Sequence, residues 1–150
     1  MKKILTIIAI NLIVAFFFIY GYTAYRVPIK SVTIYSESSL VSRMGSSNVE
    51  SFINSAKTLA MRGRKSYHVK EINNVFALQK LSKSLSYKTS DLKEMDIFQP
   101  IIRIACTVEY KNSQIDTLAF SGQIMIINSK GYEINQELVS LIIEHLPKDK

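Results

Sequence analysis

The sequence predicts an α+β fold, in which an N-terminal transmembrane helix precedes a small domain with helices packed on one face of a mainly antiparallel sheet. Three observations lead to this prediction. Residues 4–25 form one uncharged apolar run, three later segments carry apolar residues at helical spacing, and residues 101–127 combine β-branched residues with turn-forming ones. A chain of 150 residues has room for one domain after the apolar run.

The uncharged run at residues 4–25 is long enough to cross a bilayer. At a rise of about 1.5 Å per residue, a helix of this length spans about 33 Å, slightly more than a hydrocarbon core. Lys2 and Lys3 precede the run, and the positive-inside rule therefore places residues 1–3 in the cytoplasm. We expect a single-pass signal-anchor in a bacterial inner membrane, with the lipid bilayer as a partner of the run.

Two further segments complete this domain plan. Residues 26–30 contain Pro28 and form a short stem, and residues 31–150 form a periplasmic domain. The alternative is a cleaved signal peptide, whose hydrophobic region is usually shorter and ends in small residues. Cleavage after Gly21 would release a soluble periplasmic form.

The first half of the domain shows a strand, a helix, a short strand and a second helix. A capping box at Ser47 and Glu50 opens the first helix, and Gly63 is placed to end it. The second helix presents Ile72, Val75, Phe76, Leu78, Leu81 and Leu85 inward. The expected elements are a strand at 31–36, a loop at 38–47, a helix at 49–60, a short strand at 65–69 and a helix at 71–86.

The second half shows an antiparallel meander and a closing helix. Asn135 is a good N-cap for that helix, and Pro147 stops it. The expected elements are a polar loop at 86–99, strands at 101–110, 115–120 and 123–127 joined by turns, a second turn at 128–131 and a helix at 135–146.

Charge is concentrated around the apolar run. The chain carries a net charge of +7, but residues 1–30 contain four basic residues and no acidic ones. The remainder has fifteen basic and twelve acidic residues and a net charge of +3. Such a domain is only mildly basic, and it faces away from the cytoplasm, so we expect no nucleic-acid partner.

The chain contains no motif typical of a catalytic, metal or cofactor site. His68, His145 and Cys106 are isolated in sequence, and no GxSxG or phosphate-binding glycine cluster occurs. Cys106 lies in an apolar run, which favours a buried, inert thiol. His145 lies near a helix end, where the helix dipole favours a protonated ring. We therefore expect no catalytic residue, no metal and no cofactor, and we interpret the protein as non-enzymatic, with a motif-less small enzyme as an alternative.

Two features are candidates for binding. Arg62, Arg64, Lys65, His68 and Lys70 form a basic cluster, which is either a solvated loop between elements or a site that binds an acidic partner surface, an anionic glycan or lipid headgroups.

A second candidate is Asn11, a polar residue near the middle of the apolar run. It could contact another membrane helix, although its own helix can also satisfy an isolated Asn.

These features lead to one leading hypothesis and one alternative. The leading hypothesis is a membrane-anchored protein-binding module of the bacterial cell envelope, of immunity or inhibitor type, whose partner is a toxin acting in the periplasm. The alternative is a bitopic accessory subunit whose partner is a subunit of an envelope sensor, secretion or assembly complex.

Overall fold

A computed structural model of the chain describes residues 2–26, 28–38, 48–85 and 92–146, and in the first helix it describes the side chains of residues 8–21. The described elements are α1 (Lys2–Arg26), β1 (Ile29–Glu37), α2 (Val49–Met61), β2 (Tyr67–Ile72), α3 (Val75–Leu85), β3 (Ile104–Tyr110), β4 (Ile115–Ser121), β5 (Ile124–Ile127), β6 (Lys130–Glu133) and α4 (Gln136–Glu144).

The predicted α+β class is confirmed. The six strands form one sheet in the order β2-β1-β3-β4-β5-β6, and every neighbouring pair is antiparallel. Strands β3 to β6 follow one another as a meander, because each is joined to the next by a short turn. β1 lies inside the sheet, between β2 and β3.

Helix α1 is continuous over 25 residues and is apolar on all sides. Its large apolar side chains between Ile8 and Tyr20 are 40% to 76% exposed. Near its C-terminal end, the ring of Tyr20 meets the ring of Phe76 in α3 edge-on, with centroids 6.0 Å apart. Within the described part of the chain, no helix combines the length and the hydropathy needed to cross a membrane.

The expectation that the helices share one face of the sheet is wrong. Alternate residues of a strand point to opposite faces, and both faces of this sheet are apolar. One face packs against α3 and α4, with Leu81 and Leu138 among its buried residues. The other packs against α2, with Phe52 and Ala56 among its buried residues. In β1, Ile34 belongs to the first core and Tyr35 to the second, so the sheet is the middle layer of three.

The first helix of the domain was predicted correctly in extent, but its cap was not. Asn48 is the N-cap, and its side-chain oxygen accepts a hydrogen bond from the amide of Ser51 at 3.0 Å. Asn and Ser are almost equally good caps, so the pattern alone could not separate two adjacent candidates. Glu50 lies in the first turn, whereas Ser47 and most of the predicted loop at 38–47 lie outside the described residues.

The boundary between β2 and α3 was predicted wrongly. β2 begins two residues later than expected and runs on through Glu71 and Ile72, which were assigned to the second helix. Ile72 is buried, but it is buried as a strand residue opposite Val32. Pairing with β1 overrides the helical spacing there, and the oxygen of Asn74 then caps α3 by accepting from the amide of Phe76 at 3.0 Å. Phe76 was expected to point inward, yet it is 43% exposed.

The last part of the meander contains a strand that the sequence did not reveal. The predicted turn at 128–131 is shorter than expected, and its last two residues begin β6. The described part of the predicted loop at 86–99 runs beside that strand. The amide of Met95 donates to Gly131 at 3.0 Å, and the amide of Glu133 donates to Lys93 at 3.0 Å. A Cβ at Gly131 would lie 2.5 Å from the Met95 carbonyl oxygen, so only glycine allows this close approach.

The remaining strands and the closing helix follow the predicted order, but β1 begins at Ile29, inside the predicted stem at 26–30, because Ile29 already pairs with Tyr110 of β3. β3 begins three residues later than expected, and β4 and β5 match within one residue. Asn135 caps α4 by accepting from the amide of Leu138 at 3.1 Å. Pro147 lies outside the described residues.

Candidate binding surface

The sheet has two ends of different chemistry. β1 starts at the end where α1 joins the domain, and we call this the proximal end. It consists of residues 28–31, 71–74, 109–116 and 127–130. The opposite end, the distal end, consists of residues 37–38, 61–66, 101–104, 121–124 and 133. At about 3.3 Å per residue, the nine residues of β1 separate the two ends by about 27 Å.

The end of α2 presents three cations of the predicted basic cluster. Gly63 has a φ of +68°, and it lies just after the C-cap, Arg62. The amide of Gly63 donates to Ala60, and the amide of Arg64 donates to Leu59, each at 3.0 Å. These two bonds define a Schellman motif, which requires a left-handed residue at this position. The turn projects the exposed side chains of Arg62, Arg64 and Lys65.

The structure divides the five residues of the predicted cluster. Arg62, Arg64 and Lys65 lie together in the distal loop, whereas Lys70 is exposed on β2 opposite Ile34. His68 lies between them on β2, half-buried opposite Ser36. Only the first three therefore form a compact basic loop. Within the described residues, none of these three cations forms a salt bridge.

Hydrogen bonds connect this loop to a fourth cation. The amide of Ser38 donates to the Ser66 carbonyl at 2.9 Å, and the amide of Glu37 donates to the Arg103 carbonyl at 2.9 Å. The exposed side chain of Arg103 thereby lies two strands away from the basic loop. The sequence did not point to Arg103, since it follows an apolar pair and no charge pattern marks it.

Glu37 and Glu133 are the two carboxylates among the distal residues. Glu37 lies opposite Tyr67 in the β1–β2 ladder. Burial raises the pKa of Glu37, and the charge of Arg103 opposes this shift. Burial and the charge of Glu37 together raise the pKa of Tyr67. The distal end therefore contains four cations and two acids, of which Glu37 is partly buried and Glu133 is exposed.

Exposed apolar side chains accompany these charges. Met61 precedes the basic loop and is 86% exposed. Ile101 is 59% exposed, and its amide donates to the Ser121 hydroxyl at 2.8 Å at the end of β4. Phe98, in the segment that leads to Ile101, is 83% exposed. Such a mixture of apolar and basic side chains is typical of protein-binding surfaces.

The proximal end carries as many acids as bases. Lys30, Lys111 and Lys130 are matched there by Glu71, Glu109 and Asp116. The amine of Lys30 lies 2.6 Å from the Glu109 carboxylate. The hydrogen bond and the charge of this pair raise the pKa of Lys30 and lower that of Glu109.

Side-chain hydrogen bonds also link the two proximal turns. Asn128 donates to the carboxylate of Asp116 at 2.9 Å and accepts from the amide of Thr117 at 2.8 Å. Burial, and secondarily Asp116, raise the pKa of Tyr110 to about 12. The polar groups at this end are therefore largely directed at one another.

The other residues considered from the sequence lie apart from the distal end. Asn11 is exposed on α1. Cys106 is fully buried in β3, and this burial raises the pKa of its thiol. The ring nitrogen Nδ1 of His145 lies 2.8 Å from the Leu141 carbonyl oxygen at the end of α4. Among the described residues, no three His, Cys, Asp or Glu side chains come close enough to hold a metal ion.

No protein-family model, curated protein or solved structure matches this chain.

Proposed function

We propose that this protein is a membrane-anchored, non-enzymatic binding module of the bacterial cell envelope, of immunity or inhibitor type, which binds a periplasmic toxin through its distal end. The single observation that carries the proposal is the distal end itself, where Arg62, Arg64, Lys65 and Arg103 lie beside exposed apolar side chains. Such a surface complements an acidic protein surface with an apolar centre.

The anchoring half of the proposal rests on α1. Its helical backbone extends over the whole uncharged run at residues 4–25. Its described apolar side chains face outward on every side, and none of them belongs to either core of the domain. A helix that is apolar all round needs an apolar environment. We propose that the inner membrane provides it, with the N-terminus cytoplasmic and the domain periplasmic.

The binding half rests on where the cations lie. At physiological ionic strength, the field of an exposed charge decays over about 8 Å. The basic loop is about 27 Å along β1 from the proximal end, which is more than three decay lengths. Attraction to the headgroups around α1 therefore does not explain the placement of Arg62, Arg64 and Lys65. An acidic partner that approaches from the periplasm does explain it, because steering charges increase the rate of encounter.

The experiment compares two variants of the full-length protein that lose the same charge. In the test variant, Arg62, Arg64 and Lys65 are replaced by Ser. In the control, Lys57, Lys80 and Lys130, which are exposed elsewhere, are replaced by Ser. Each protein is tagged and purified from solubilised membranes, and the co-purifying proteins are quantified. We expect an acidic partner that the control retains and the test variant loses.

Kinetics with the purified partner then provide the decisive measurement. The association rate of the test variant should fall by about tenfold and its salt dependence should flatten, while the dissociation rate changes little. The control should behave like the native protein. Equal association rates and salt slopes for all three proteins would refute the proposed role of the basic loop.

An accessory subunit of an envelope complex is the second candidate, and the exposure of Asn11 on α1 favours it. A polar side chain at that depth can form a hydrogen bond with a neighbouring membrane helix. Residues 28–150, exported on a cleavable signal peptide, should keep the partner if the domain binds it. If the exported domain folds but loses the partner, and Asn11→Leu in the full chain loses it too, the accessory role is favoured.

A further inference from the structure

The two edges of the sheet are treated differently. The β6 edge is covered by the chain itself, since residues 93–95 run beside it and exchange two backbone hydrogen bonds with Gly131 and Glu133. Glu94 also forms a bridge to Tyr132. An edge closed in this way cannot accept another strand.

The β2 edge has no such cover within the described residues. β2 is the last strand in the sheet order, and the backbone hydrogen bonds described for its ladder run to β1. The two strands pair over six consecutive residues without a register shift. β2 also contains no proline, so it lacks two of the devices that usually block an edge, proline and a bulge.

The side chains along this edge leave room for a neighbour. Val69 is 41% exposed, and Lys70 and Glu71 are exposed beside it. α2 and α3 pack on the two faces of the sheet, so neither helix needs to move to admit a strand in its plane.

Charge indicates which kind of strand fits there. Arg64 and Lys65 lie in the turn just before β2, and Lys70 follows Lys65 within about 17 Å of chain, with Glu71 as the one acid of the strand. A second copy of this chain would bring a domain of net charge +3 to an edge that is already basic. An acidic extended segment would place its carboxylates beside these cations instead.

We propose that β2 receives an extended, acidic segment of the partner as a seventh strand of the sheet. This inference rests on the proposed binding function and adds the mode of recognition. The main-chain groups of Lys70 face β1, because the amide of Ser38 bonds Ser66 and alternate residues of β2 follow the same pattern. Main-chain hydrogen bonds to Val69 and Glu71 therefore contribute affinity, and Arg64, Lys65 and Lys70 select for acidic side chains.

The probe is a fluorescent peptide of six residues, the length of β2, with alternating Glu and Val. Its binding to the full chain in detergent is measured by fluorescence anisotropy. Two matched peptides serve as controls, one with Lys in place of Glu and one with the Glu-Val sequence N-methylated at every amide. We expect the N-methylated peptide to bind at least about tenfold more weakly, since neither of its edges keeps a main-chain donor, and the Lys peptide to show no binding.

Three outcomes of this experiment overturn the inference. The first is absence of binding by the Glu-Val peptide up to millimolar concentration. The second is equal binding by the N-methylated peptide, which would assign recognition to charge alone and leave the proposed function intact. The third is a dimer of the full chain whose dissociation is required for peptide binding, which would identify a second copy as the occupant of the edge.

Two adjacent proline substitutions test the same edge from the protein side. Neighbouring residues of a strand direct their amides to opposite sides, so one of Val69→Pro and Lys70→Pro removes an outward amide and the other breaks the ladder with β1. The melting temperature distinguishes the two variants, because only the one that breaks the ladder with β1 should unfold at a lower temperature. The variant that keeps its melting temperature should lose the Glu-Val peptide, and native binding by that variant would contradict the inference. The peptide controls decide the question if both variants unfold.

Discussion

The proximal and distal ends of the sheet differ in how their charges are used. At the proximal end, three bases face three acids, and Lys30 and Glu109 form an ion pair. At the distal end, four bases accompany two acids, and the three cations of the basic loop form no salt bridge with described residues. A set of like charges held close together raises the free energy of the isolated domain. The comparison therefore supports the proposal that the distal cations serve binding and not folding.

The largest effect we expect is the loss of membrane attachment when α1, which joins the domain at the proximal end, is removed. Removal of residues 1–27 deletes α1, and none of the side chains described in α1 belongs to either core. If α1 is the anchor, the intact protein should resist alkaline carbonate extraction and the shortened protein should be fully soluble.

The shortened domain should also keep a cooperative unfolding transition. Intact protein in the carbonate extract would contradict the anchor, and a mature form beginning near Tyr22 would instead identify a signal peptide. An unfolded shortened domain would mean that the contact between Tyr20 and Phe76 matters more than its exposure suggests.

The next largest effect concerns the packing that positions the distal end. Phe52 is 1% exposed between α2 and the sheet, and its ring meets that of Tyr67 with centroids 5.9 Å apart. Phe52→Ala should lower the free energy of unfolding by about 3–5 kcal/mol, because it leaves a cavity in the smaller of the two cores. Urea denaturation of the shortened domain measures this. A loss below about 1 kcal/mol would mean that α2 is held mainly by other contacts.

The sequence predicted the class of the fold and the basic loop because both depend on local patterns. Apolar spacing identified α2 and α4, and Gly63 marked the end of α2 correctly. The errors come from contacts between distant residues. Nothing local indicates that Ile72 pairs with Val32, or that residues 93–95 cover β6.

The same reason explains what was missed at the candidate site. Arg103 joins the distal end through the register of β1 and β3, which no single sequence reveals. His68 and Lys70 are close to the basic loop in sequence, but strand geometry carries Lys70 away from it along the edge.

A smaller effect is expected at the turn that displays the basic loop. Gly63 has a φ of +68°, and nothing lies within 4 Å of the place where a Cβ would be. Gly63→Ala therefore tests backbone conformation without a steric clash, and it should lower the free energy of unfolding by about 1–2 kcal/mol. Gly21→Ala, at an open helical position, is the control in the full chain. No change in melting temperature for Gly63→Ala would contradict a requirement for the left-handed conformation.

The smallest effect, and the sharpest contrast between the two ends, concerns Glu37 and Glu109. Burial raises the pKa of Glu37 above its ordinary value of 4.5, so its ionised form is disfavoured in the folded protein. Its destabilising contribution is absent below the unfolded pKa and complete above the folded one. Glu37→Gln should therefore raise the free energy of unfolding at neutral pH, and the gain should disappear on acidification.

The contribution of Glu109 to the free energy of unfolding has the opposite sign, since the hydrogen bond from Lys30 lowers the pKa of Glu109. Its contribution is present above pH 4.5 and is lost as the pH falls through the folded pKa. Glu109→Gln should thus lower the free energy of unfolding at neutral pH, slightly because the pair is exposed, and the loss should also disappear in acid. Urea denaturation of the shortened domain between about pH 3 and pH 7 measures both differences. If both substitutions changed the free energy of unfolding at neutral pH in the same direction, the two ends would not differ in the way that their carboxylates are stabilised.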